Sequence, residues 1–170
     1  MISKKMEEAL NKQLNRELFS SYLYLSMATY FEKNSFVGMA QWMKLQAEEE
    51  HTHSMKFFEF IQKVGGRVIL EQIDKPQTDW TSAQNAFEDA LGHEEYITKN
   101  INELTDLAIS ERDHSTKTFL QWYIDEQVEE EATANEIVQK FKLIGESKSG
   151  IYMLDRELGA RVLTPATSTE

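Results

Sequence analysis

Three glutamates and two histidines occupy eight consecutive positions, AEEEHTHS at 47–54. The flanking segments MAQWMKLQ and MKFFEFIQ carry apolar residues at three- and four-residue spacing, so the run lies inside one amphipathic helix. Glu50 falls within the apolar stripe of that helix, and His53 stays beside it one turn on. A carboxylate and an imidazole at i and i+3 project side by side, the spacing with which helices hold a pair of metal ions. A donor set rich in oxygen with one imidazole suits iron or manganese and also accepts zinc.

Three further apolar stripes are each interrupted by a glutamate. Glu17 breaks the run Met6, Leu10, Leu14 to Ala28; Glu94 breaks Phe87, Leu91 to Ile97 and Leu104; Glu130 or Glu131 breaks Leu120, Ile124, Gln127 to Ala134 and Phe141. All four acids lie near mid-helix, so they meet at the waist of a bundle whichever way each helix points. One glutamate in an apolar stripe is ordinarily a boundary residue. Four at one level are not, because each buried unpaired carboxylate costs several kcal/mol (about 2–7 for a polar group, more for a charge). No lysine or arginine lies in the stripes to balance them, whereas bound cations would.

The remaining candidates have plainer explanations. His51 lies on another face and reads as surface, and His93 and His114 read as structural or exposed histidines. The seven methionines and the aromatics at helical spacing read as core. Tyr24 follows Glu17 by two turns; it serves either as core filler or as a hydroxyl donor to a ligand carboxylate. Trp122, one turn before Glu126, reads as packing.

Four long helices must position these residues, at roughly 4–33, 36–63, 81–110 and 114–144, with a short fifth at 150–161. Asn34 is expected to take the left-handed position after the first helix, and Ser35 to cap the second. The boundary between the third and fourth helices, at Ser110 to Asp113, has neither Gly nor Pro and rests on helix-length expectations alone. The connection 64–80 holds Gly65-Gly66 and Pro76 and no helical period. Extended, it can span about 56 Å, more than the ~44 Å length of the preceding helix. It can therefore return the chain to its starting end and make the second and third helices parallel. An all-α, four-helix bundle with one long crossover and a short C-terminal helix follows, as a single domain over 1–170 with a mobile tail at 163–170.

Composition agrees with that reading. With 29 acidic and 18 basic residues the net charge is −11, which disfavours nucleic acid and anionic membrane surfaces as partners and favours cations. The absence of cysteine removes disulfides and thiolate metal ligands. No apolar run approaches a membrane span or a leader's h-region, and the expected location is cytoplasmic.

At NRELFSSYLYLS around Glu17, AEEEHTHS, LGHEEYI around Glu94 and FLQWYIDEQVEEE, the chain resembles the non-haem bacterial-type ferritins, over about residues 1–162. The resemblance implies a ferroxidase centre. Glu17, Glu50 and His53 would hold a first iron, and Glu50 would bridge to a second held by Glu94 and Glu130, with Gln127 close by. A third iron site would lie at Glu49, Glu126, Glu129 and Glu130. It further implies a shell of about 24 copies that oxidises Fe(II) with dioxygen or hydrogen peroxide and stores ferric mineral inside. Bacterioferritins carry a second Glu-x-x-His, whereas the matching stretch here is Gln127-Val128-Glu129-Glu130; they also place a haem-ligating Met where His51 stands, so no haem is expected. The positions matching the acid-lined three-fold pore of animal ferritins are Lys117 and Leu120. A di-iron oxidase or peroxidase of rubrerythrin kind is the alternative, weakened by the lack of Cys for a rubredoxin-type iron site.

Overall fold

A computed structural model describes residues 2–162; the expected mobile tail at 163–170 lies outside them. The chain forms α1 (Lys4–Lys33), α2 (Val37–Lys63), α3 (Ala83–Ser110), α4 (His114–Ile144) and α5 (Lys148–Leu158), with no strand among the described residues. Among the described residues no helix is long and apolar enough to cross a membrane.

Side-chain contacts define the topology. The start of α1 meets the end of α3, where Ser3 donates to Glu111. Further along, Ser20 of α1 meets His93 of α3, and Phe31 packs on Phe87. The two helices therefore run antiparallel. Phe57 on Tyr123 and Phe60 stacked on Phe119 set α2 antiparallel to α4. Since α1 and α2 are joined by a short turn, α2 and α3 are parallel, as the crossover length requires. The core falls into two clusters, one at each end of the bundle. Between them lies the level of the four glutamates.

The crossover is not loose chain. It is pinned along α1 by two asparagines. Asn11 donates to Arg67 O at 2.9 Å and accepts from Ile69 N at 2.7 Å, while Asn15 donates to Ile69 O at 3.0 Å and accepts from Glu71 N at 2.9 Å. Four residues of helix rise about 6 Å and two residues of extended chain about 6.6 Å, so asparagines at i and i+4 keep step with alternate crossover residues. Farther on, Ser26 donates to Gln77 O and Trp80 packs on Tyr30. Asn11→Ala is expected to lower stability by about 1–3 kcal/mol, because two crossover backbone groups lose their partner. A denaturation midpoint equal to wild type would remove the asparagine ladder as the anchor.

Two helix ends differ from expectation. Ser35, not Asn34, takes the left-handed conformation, with φ 65°. Phe36 then stands at the N-cap of α2 and gives no side-chain cap. The missing cap comes from α5, where Asp155 Oδ1 accepts from Met39 N at 2.9 Å. This close approach needs glycine: a Cβ on Gly38 would lie 1.7 Å from Asp155 O. The α3–α4 boundary falls where expected. Arg112 adopts φ 56°, and Asp113 caps α4 by accepting from Thr116 N and Thr116 Oγ1. The fifth helix starts two residues earlier and ends three earlier than the periodicity suggests, Ser147 capping it through Gly150 N.

Candidate metal centre

Each long helix delivers one or two polar side chains to the waist, and all are buried. Exposure is 1% for Glu17, 2% for Glu50, 4% for His53, 1% for Glu94, 3% for Gln127 and 7% for Glu130. One ligand atom from each of Glu17, Glu50 and His53 lies within 4.8 Å of the others, and the same holds for His53, Glu126 and Glu130. His53 belongs to both groups. Its Nδ1 is 3.5 Å from Glu50 Oε2, and its Nε2 is 3.8 Å from Glu126 Oε1. The imidazole thus turns one nitrogen to the Glu17–Glu50 side and the other to the α4 acids.

Amides and a phenol hold the carboxylates in place. Gln13 Nε2 donates to Glu17 at 2.7 Å. Gln46 Nε2 donates to both Glu50, at 3.2 Å, and Glu130, at 2.8 Å. Gln127 Nε2 donates to Glu94 Oε2 at 3.1 Å, and the Tyr24 hydroxyl donates to Glu94 Oε1. Tyr24 is therefore the hydroxyl donor, beyond filling core. The sequence reading missed Gln13 and Gln46. Their signal was present: each stands one turn before a stripe glutamate, Gln13 before Glu17 and Gln46 before Glu50.

Burial without cations makes these acids hold protons. Desolvation first, then the neighbouring Glu50 charge, pushes Glu17 and Glu94 up to about 8. Desolvation and Glu94 push Glu130 up to about 8. Burial and Glu130 raise Glu50 well above the carboxylate range. No lysine or arginine contacts these four among the described residues. Such a cluster can take dications in exchange for protons.

The acids assigned to a third site are less enclosed. Glu126 and Glu49 are half-buried and Glu129 is exposed. The Glu49 charge helps raise Glu126, Glu50 and Glu130. Glu131, the alternative to Glu130, is only half-buried. His51 and His114 are exposed; His93 packs against Phe19, Tyr24 and Tyr96. Trp122 does pack, edge-on to His53 at 5.2 Å. Leu120 is fully buried, as its place in the apolar stripe predicts, and of the two positions matching the animal pore acids only Lys117 is exposed. A cation absent from the stripes also reaches the region: Arg161, beyond α5, pairs with Glu49.

Comparison with known proteins places the chain in a family. The family model described as a ferritin-like domain matches residues 7–144. A bacterial non-heme ferritin of Bacteroides fragilis is 43% identical over 161 residues, covering 95% of this chain and all of that one. That of Campylobacter jejuni is 38% identical over 92% of this chain and 93% of its own. Among solved structures, an open pore ferritin from the hyperthermophilic archaeon Archaeoglobus fulgidus superimposes with a TM-score of 0.95 at 49% identity, covering 95% of this chain and 99% of that one. With its family model matched across the whole bundle and bacterial non-heme ferritins similar over nearly its full length, the chain belongs to the ferritin family.

Proposed function

We infer that the protein stores iron, oxidising Fe(II) at a dinuclear centre inside each subunit and keeping the ferric product in a hollow shell of its own copies, about 24 of them. The observation that carries this reading is the convergence of Glu17, Glu50, Glu94 and Glu130 with His53, buried and without a balancing side-chain cation among them. Fe(II) is the substrate. Glu17, Glu50 and His53 hold one ion, Glu94 and Glu130 the other, and Glu50 bridges them. Two adjacent ions each give up one electron, so dioxygen or hydrogen peroxide is reduced without release of a one-electron product. Carboxylates are hard donors that favour Fe(III), and only one imidazole retains the product, which suits a site that must empty. Tyr24 and Gln127 keep Glu94 directed inward while it changes partners. Glu49, Glu126, Glu129 and Glu130 form a third site between the centre and the cavity.

Assembly into a shell is supported by the relatives. One is described as an open pore ferritin and another as an engineered closed form, and a pore presupposes an enclosing wall. Aerobic addition of Fe(II) to the metal-free protein, followed by sizing, tests the reading. Many irons per subunit inside a shell-sized particle are expected. A few irons per subunit with turnover of peroxide or an organic substrate would select a rubrerythrin-like oxidase instead. Glu126→Ala with Glu129→Ala is expected to change the number of Fe(II) oxidised per dioxygen. An unaltered ratio would remove the third site's part in turnover.

A further inference from the structure

Arg161 follows α5 and is only 21% exposed at its side chain, less than a surface arginine with nothing to hold. Three partners grip its guanidinium. Nη1 donates to Gln46 Oε1 at 2.8 Å, Nη2 donates to Glu49 Oε2, and Cζ lies 4.5 Å from the centroid of the Trp42 ring. Trp42 is itself buried and belongs to α2, as do Gln46 and Glu49. The grip therefore spans two turns of one face of α2.

The placement is fixed by packing that is costly to move. Gly38 and Gly159 bring α2 and α5 into backbone contact, a Cβ on Gly159 falling 2.9 Å from Gly38 Cα. Asp155 ties the same crossing by capping α2. Two residues past Gly159, the chain delivers Arg161 to Glu49. The opposite side of Gln46 donates to Glu50 and Glu130. One amide thus links the guanidinium to the carboxylates of the centre.

Arg161 draws charge from the Glu49 carboxylate that a metal ion would use, and a dication beside Arg161 also meets like charge. We propose that Arg161 is an internal counter-cation of the third site: it holds Glu49 while the site is without metal and is pushed away when a divalent ion takes Glu49 as ligand. Arg161 thereby weakens the third site relative to the first two and favours passage of iron over retention. This rests on the third-site reading given above. The plain alternative is an anchor that merely ties the segment after α5 to α2.

Anaerobic calorimetric titration of the assembled, metal-free protein with Zn(II) separates these. Wild type is expected to take a third equivalent per subunit more weakly than the first two, and Glu129→Ala to lose it. Arg161→Gln is expected to tighten that equivalent about fivefold, the scale of a partly exposed ion pair, with smaller change in the first two. Arg161→Lys, which keeps the charge but not the fork, is expected to stay within about twofold of wild type. In a Trp80→Phe, Trp122→Phe background, Trp42 emission is expected to change with the third equivalent and not before, as the guanidinium leaves its ring. Unchanged third-site affinity in Arg161→Gln, with Glu129→Ala still losing the equivalent, would overturn the counter-cation and leave the site. So would Lys behaving like Gln, or silent Trp42 emission. Absence of any third equivalent in wild type would overturn both.

Discussion

Glu50→Ala is expected to slow the first rapid phase of Fe(II) oxidation by at least about 100-fold, the upper end of what loss of a mere supporting residue does at a metal site. Glu50 offers an oxygen within 4.8 Å of ligand atoms of Glu17 and His53, and through Gln46 it shares a donor with Glu130. In the proposed centre it is the carboxylate that serves both ions. The fold is expected to survive, because the lost group is a buried carboxyl that burial and Glu130 already disfavour as an anion. Glu50→Gln keeps the volume and an acceptor for Gln46 Nε2, so it isolates the charge from the cavity. Stopped-flow mixing of either variant with Fe(II) and dioxygen at the wild-type rate would show that Glu50 is not the bridge.

The inward placement of Glu50 is legible in the sequence, and so is most of the waist. A 3.6-residue period that stays apolar for many turns and is broken once by Glu on each of four helices constrains both the bundle and the level of the break. The crossover length allows α2 and α3 to run parallel, because reach is a property of the backbone alone. What stayed hidden are contacts between residues distant in sequence. Nothing local tells that Asn11 and Asn15 bind the crossover, 54 residues away or more. Nothing local tells that Asp155 caps α2 from 116 residues away, or that Arg161 reaches Glu49 across 112. Leu120, read in the apolar stripe with Ile124 and Gln127, is buried as that stripe requires. Gln13 and Gln46 were legible but unread, since an amide in an apolar stripe attracts less notice than a charge.

The metal-free protein is expected to lose thermal stability as pH rises from about 6.5 to about 8, and bound dications are expected to cancel or reverse that loss. Burial pushes Glu17, Glu94 and Glu130 up to about 8 in the folded chain, from an ordinary value of 4.5. Burial and the Glu130 charge raise Glu50 as well. Between those values the unfolded chain has released its protons and the folded chain has kept them, so stability falls with pH. One such proton corresponds to about 1.4 kcal/mol per pH unit. The stabilisation is complete below the unfolded value and is lost as pH climbs through about 8. His93 acts in the opposite sense, burial lowering it from 6.5 to about 4, so it adds stability as pH rises across that interval and is silent above it. The interval from about 6.5 to 8 therefore isolates the carboxylates. A dication binds their deprotonated forms, so its stabilisation grows as pH rises. Melting midpoints at fixed scan rate, with and without Zn(II), at several pH values in that interval check both halves. A proton count in weakly buffered solution adds a second reading: release per Zn(II) is expected to be larger at pH 7 than at pH 9. A metal-free midpoint that is flat or rises between pH 6.5 and 8 would mean that the waist acids are already ionised, and that something other than metal balances them.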